Sequence, residues 1–72
     1  MIIFLEKNGT KLEGNLFASS RQDALSNEVE IEVEGIIAMK GVINFTPQGE
    51  MFFTSIARYE LWKVLSIIPD GM

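Results

Sequence analysis

Residues 55–68, SIARYELWKVLSII, decide the fold of this chain because they fit two periodicities. The positions of a helical stripe are Ala57, Leu61, Val64, Leu65 and Ile68. The positions of a strand alternation are Tyr59, Leu61, Leu65 and Ile67. The length of the segment favours a helix, which Thr54 or Ser55 can cap and residues 69–71, Pro-Asp-Gly, can end. We therefore predict a C-terminal helix, with a strand over Ile56 to Ile68 as the alternative.

The first hairpin is predicted from Asn8-Gly9, because both residues accept positive φ in a two-residue type I′ turn. That turn fixes the register of the two strands around it. We expect Leu5 to face Leu12 inside the protein and Phe4 to face Glu13 on the other side.

A second hairpin is predicted from residues 46–49, Thr-Pro-Gln-Gly. The proline suits the φ near −65° of a type I turn, and the glycine suits the left-handed residue that completes it. The register then pairs Phe45 with Met51 and Ile43 with Phe53, and we expect both pairs in the core.

Between the hairpins, residues 27–34 read NEVEIEVE, which is the alternation of a strand with one buried face. Burial of the aliphatic side chains Val29, Ile31 and Val33 would turn the glutamates outward together. Their mutual repulsion would be relieved by a lysine or arginine on an adjacent strand. Gly35 and Gly41 bracket the next apolar stretch and predict a bulge or sharp bend there.

These elements predict an α+β, β-rich fold over a single domain, residues 1–72. It consists of a small antiparallel meander sheet, made of two hairpins plus a central strand, and the C-terminal helix. Ser20 and Asp23 suit the start of one helical turn in the polar segment before the central strand. The alternative is an all-β small barrel of the SH3 or Sm type, which requires residues 56–68 to be a strand.

The composition excludes several classes of function. The 72 residues contain no cysteine and no histidine, so disulfide scaffolds, thiolate metal sites and histidine-dependent catalysis are excluded. Lys40-Gly41 lacks the other residues of a phosphate-binding loop. We predict that the protein is not an enzyme and uses no cofactor or metal. A formal net charge of −4 disfavours DNA, and the sequence shows no export signal or membrane span, so we expect a cytoplasmic protein.

The remaining prediction is a non-catalytic, acidic protein-binding module that occupies the surface of a partner, as inhibitors and regulators from phages and mobile elements do. The partner would have a basic or mixed surface. The predicted partner-binding residues are Glu28, Glu30, Glu32, Glu34, Phe4, Phe52 and Trp62. Two alternatives remain: an oligomeric SH3- or Sm-like barrel that binds RNA or peptide, and a structural assembly subunit. Phe4 and Phe52 lie on the hairpin faces opposite the main apolar sets, which predicts either a homo-oligomer or a sheet that closes on itself.

Overall fold

The computed structural model describes residues 1–70, which form one short helix and a closed, six-stranded antiparallel barrel. Strands pair in chain order, and the last strand also pairs with the first. The elements are β1 (Ile2–Lys7), β2 (Thr10–Phe17), α1 (Arg21–Ser26), β3 (Val29–Val33), β4 (Ile36–Phe45), β5 (Met51–Ser55) and β6 (Leu61–Ile68).

The predicted C-terminal helix, and with it the α+β fold class, is wrong: Leu61–Ile68 is strand β6. The register between β1 and β6 shifts, so that Leu5 faces Val64 while Phe4 faces Ser66, which leaves Leu65 as an extra residue. This bulge changes the phase of the alternation, and the buried positions become Val64 and Ile67. A spacing of three imitates a helix, which explains the error. The structure supports the all-β barrel alternative.

Both predicted hairpin registers are confirmed. Leu5 faces Leu12 across the first turn, and Ile43 faces Phe53 across the second. Ile43 and Phe53 are buried as predicted, but the expected core position of Phe45 is wrong: it lies near the end of β4 and is 54% exposed, and its partner Met51 is only partly buried. The largest fully buried side chains are Phe53, Ile3, Leu5, Leu16 and Ile31. Local turn chemistry and alternation therefore determine most of the core.

We call one end of the barrel the helix end, because α1 lies there together with the turn over residues 46–50. The Ser20 hydroxyl caps α1 by accepting a hydrogen bond from the backbone N–H of Asp23 at 3.1 Å. Ala24 and Leu25 pack against the core. The polar segment predicted to contain a helical turn therefore contributes to the core.

We call the opposite end the pocket end. It carries the turns over residues 8–9 and 34–35 and the connection over residues 56–60. Strand β4 has ten residues, whereas β3 and β5 have five each. The first half of β4 pairs with β3 and the second half with β5, and Gly41 faces both Val29 and Ser55. A Cβ atom at Gly41 would overlap the Thr54 carbonyl oxygen, so this close approach requires glycine.

The bulge predicted near Gly35 and Gly41 is confirmed. Ile31 faces Met39 while Glu32 faces Ile37, which leaves Ala38 as an extra residue in the first half of β4. Bulges bend a strand and increase its twist. This bulge lies in the half of β4 that pairs with β3 and that has no partner in β5.

Candidate functional site

A pocket of about 590 Å³ lies at the pocket end of the barrel. The partly buried apolar side chains in its lining come from four different strands, and they are Leu12, Val33, Met39 and Trp62. A concave apolar site with a few polar groups is the usual form of a binding site.

Two walls complete this pocket. The first is the early part of β4, with Ile37, Ala38 and Lys40. The second runs from the end of β5 to the start of β6, with Ser55, Ala57, Arg58 and Glu60. The two walls stand apart because β5 pairs with β4 only from Gly41 onward. The pocket is therefore a groove that the strand lengths create.

One polar cluster borders the groove. Lys7 Nζ donates a hydrogen bond to Glu60 Oε2 at 2.9 Å and lies 5.8 Å from the centre of the Trp62 ring. The hydrogen bond from Lys7 has the largest effect on Glu60 and lowers the pKa of its carboxyl group. Partial desolvation raises that pKa, but the positive charges of Lys7 and Arg58 lower it further, and the net shift is downward. Glu60 therefore carries its charge at neutral pH.

The indole N–H of Trp62 makes no hydrogen bond of acceptable geometry, and its Nε1 is the one buried side-chain nitrogen or oxygen without a partner among residues 1–70. The indole N–H nevertheless lies near enough to the Glu60 carboxylate to favour the charged form of Glu60. A buried donor without an acceptor costs free energy. An acceptor that approached from the groove after a small movement of the ring would recover it.

The border of the groove is richer in bases than the rest of the protein. Lys7, Lys40 and Arg58 are half of the six lysine and arginine residues. Lys7 pairs with Glu60, and Lys40 Nζ lies 3.5 Å from Glu30 Oε2. Arg58 forms no ion pair within the described part of the chain. The groove thus offers a positive charge within an acidic protein.

Large apolar side chains surround the groove without being covered. Tyr59 is 82% exposed and Ile36 is 71% exposed, and Ile37, Ile56 and Leu61 are also exposed. Isolated exposed apolar residues are ordinary, but a group of them beside a pocket is typical of an interaction site.

The acidic residues predicted to bind a partner lie on and around β3. Glu30 and Glu32 are partly buried and alternate with the buried Val29 and Ile31. Glu28 is exposed before the strand, and Glu34 lies in the turn after it with φ of 53°. Lys40 on the adjacent strand β4 forms an ion pair with Glu30, as expected for a cation that relieves repulsion between the glutamates. Two of the four glutamates therefore lie on the strand itself.

The predicted aromatic residues lie elsewhere. Phe4 is on β1 and lines a second pocket of about 290 Å³ together with Leu65 of the bulge. Phe52 is on the outer side of β5, between Asn44 and Lys63 in register. Trp62 lines the groove. Because β2 separates β1 from β3 and β4 separates β5 from β3, the seven predicted residues do not form one surface.

Sequence reasoning did not identify the other residues of the groove. They come from distant parts of the chain and include Leu12, Met39, Arg58 and Glu60, with Lys7 at the border. One signal was present: the bulge or bend predicted near Gly35 and Gly41 lies in the part of β4 that forms a groove wall. In the structure, one half of β4 pairs with β3 and the other half with β5, so the first half has no strand on the side where β5 would lie.

No group of three or more acidic residues within residues 1–70 could hold a metal ion. In the same range, the structure contains no helix with the length and apolar character needed to cross a bilayer. Comparisons of the chain with protein-family models, with curated proteins and with solved structures found no match.

Proposed function

We propose that this protein is a non-catalytic protein-binding module that holds a short segment of a partner in the groove at the pocket end. The observation that carries the proposal is the groove itself, which has an apolar lining around Trp62, a border with an unpaired Arg58, and exposed apolar side chains around it. Small inhibitors and regulators act by binding a segment of a partner and blocking its other contacts, and we assign the protein to that class.

The chemistry of the groove favours a peptide over a nucleic acid. The net charge of −4 repels a phosphate backbone, and the basic residues at the groove border are partly neutralised by Glu60 and Glu30. An apolar side chain can fill the space beside Met39 and Trp62, and burial of one such side chain contributes about 1.5–3 kcal/mol.

Selection from a random peptide library displayed on phage tests this proposal. We expect the selected peptides to share a large apolar residue and to alter the fluorescence of Trp62, which is the single tryptophan of the chain. The blocking variant is Ala57→Phe, because Ala57 is exposed in the groove wall and a larger side chain there occupies the groove without entering the core.

The matched control is Gln22→Phe, which adds the same side chain at an exposed position of α1. We expect Ala57→Phe to weaken binding of the selected peptides at least tenfold, while Gln22→Phe leaves it unchanged. Absence of any enriched peptide, or equal binding by both variants, would contradict the proposal.

The acidic side of β3 is a second candidate surface for a basic partner. It is favoured by the outward placement of Glu30 and Glu32 between buried neighbours. Replacement of Glu30, Glu32 and Glu34 by lysine is expected to abolish binding of lysine-rich peptides and to leave the circular dichroism spectrum unchanged. The acidic side of β3 is ruled out as a binding site if lysine-rich peptides bind neither the unmodified protein nor this variant. If apolar peptides still bind the variant, the groove is then the binding site.

A further inference from the structure

We propose that the partner segment binds as an added β-strand along the free edge of β4, residues 36–39, and that it is an extended peptide with apolar and acidic residues. This inference rests on the proposed function and specifies how the groove holds its occupant. Strand addition supplies affinity through main-chain hydrogen bonds and specificity through alternate side chains.

The first step of the argument is the edge. From Ile36 to Met39, β4 pairs with β3 on one side and with no strand on the other within residues 1–70. The last contact across that side is the hydrogen bond from the Ile56 N–H to the Lys40 carbonyl oxygen at 2.9 Å. Beyond it the chain leaves β4, and the groove begins. An unpaired edge next to a groove is a template for another strand.

The second step is the fit of an extended chain. At about 3.3 Å per residue, the edge from residue 36 to residue 39 accommodates about four residues of a partner. Side chains of an added strand alternate, so every second one points into the groove toward Met39 and Trp62. The intervening ones point toward solvent and the groove border.

The third step is the charge of the occupant. Arg58 has no ion-pair partner among the described residues, and Lys40 stands on the opposite wall of the groove. A carboxylate on the added strand would approach Arg58, whereas Lys40 is already paired with Glu30 at 3.5 Å. A second copy of this chain is a poorer occupant, because the strand that it would add, residues 36–40, contains Lys40 and no carboxylate to meet Arg58.

The probe is a terminally blocked heptapeptide, Thr-Val-Glu-Leu-Glu-Val-Thr, with a second peptide that has lysine in place of glutamate. Titration followed by Trp62 fluorescence and by isothermal calorimetry is expected to show that the acidic peptide binds at least tenfold more tightly. Fluorescein-labelled oligouridylate and sedimentation of the protein alone serve as the tests for RNA and for a second copy.

Backbone methylation separates strand addition from simple filling of the pocket. One acidic peptide carries N-methyl groups on its valine and leucine amides, and another carries them on its glutamate amides. Alternate residues of an added strand present their N–H groups to the edge, so we expect one methylated peptide to lose at least tenfold in affinity and the other to bind like the parent. Equal affinities of the two overturn strand addition and leave the proposed function intact.

Charge reversal tests the chemistry of the occupant. Arg58→Glu is expected to reverse the preference, so that the lysine peptide binds more tightly than the acidic one, and Arg21→Glu on α1 is the matched control with no effect. The inference is overturned if the preference persists in Arg58→Glu. It is also overturned if neither peptide binds at 1 mM, if oligouridylate competes with the acidic peptide, or if the protein sediments as a dimer that the peptide does not dissociate.

Discussion

At the helix end of the barrel, Leu16 of β2 is 1% exposed, whereas at the pocket end Leu12 of the same strand is partly buried and lines an open groove. The helix end is covered by α1, which contributes Ala24 to the core. The pocket end has no such cover in the part of the chain that the structure describes. The comparison shows that one part of β2 stabilises the barrel while another part lines the groove.

The largest expected effect comes from shortening the same residue type at the two ends. Leu16→Ala should lower the free energy of unfolding by about 2–5 kcal/mol, because it leaves a cavity in a closed core. Leu12→Ala should cost about 1 kcal/mol, because the groove already exposes part of that side chain. Urea denaturation of both variants measures the difference, and equal losses would remove the distinction between the ends.

Amide hydrogen exchange compares the two halves of β4 directly. Each half has one strand neighbour, β3 for residues 36–40 and β5 for residues 41–45. All of residues 36–40 except Met39 are exposed, whereas Gly41 and Ile43 in the second half are buried. We expect mean protection factors to be at least about tenfold lower in residues 36–40, since local opening there uncovers less buried surface. Binding of the acidic heptapeptide should raise protection in that half alone; a uniform increase over the whole strand would argue against an edge site.

A smaller effect is expected from the cap of α1. Ser20→Ala removes the acceptor for the Asp23 N–H and should lower stability by about 1 kcal/mol without altering peptide binding at the other end. Ser66→Ala, at an exposed position of β6, is the control and should change stability by less than about 0.5 kcal/mol. A loss of peptide affinity in Ser20→Ala would mean that the two ends are coupled.

The smallest effects concern two carboxyl groups, one at each end. Hydrogen bonds from Ser19 and Asn27 lower the pKa of Asp23 below its ordinary value of 3.8, and Lys7 lowers that of Glu60 below 4.5. Because both pKa values are lower in the folded state, their contribution to stability is present above the ordinary values and is lost as the pH falls through the folded ones. In an NMR titration, Lys7→Met should raise the pKa of Glu60 alone and Ser19→Ala that of Asp23 alone; movement of both in one variant would contradict their independence.

The parts of the fold that sequence could predict are those that local chemistry determines. Asn8-Gly9 sets its hairpin register by turn geometry, and the alternation around Ile31 sets the buried face of β3. The closure of the barrel depends instead on β6 meeting β1, which is the most distant pairing along the chain. The bulge at Leu65 hides the alternation of that strand, so local periodicity favours a helix there.

The candidate site was less predictable than the fold. Trp62 was singled out because it did not fit the helical stripe, and it does line the groove. Leu12, Met39 and Arg58 share no motif with it, because the closure of the barrel alone brings them near one another. The glutamates of β3 were visible in the sequence because they are consecutive, and whether they bind a partner stays a prediction.

The position of Gly41 has a consequence for variation of this chain. Among the described residues it alone pairs with both β3 and β5, so the residues before it on β4 belong to the groove wall rather than to the centre of the barrel. Substitutions at Ile36 and Ile37 can therefore accumulate without disturbing the packing around Phe53. A library randomised at those two positions would be a direct route to versions of this barrel with new binding preferences.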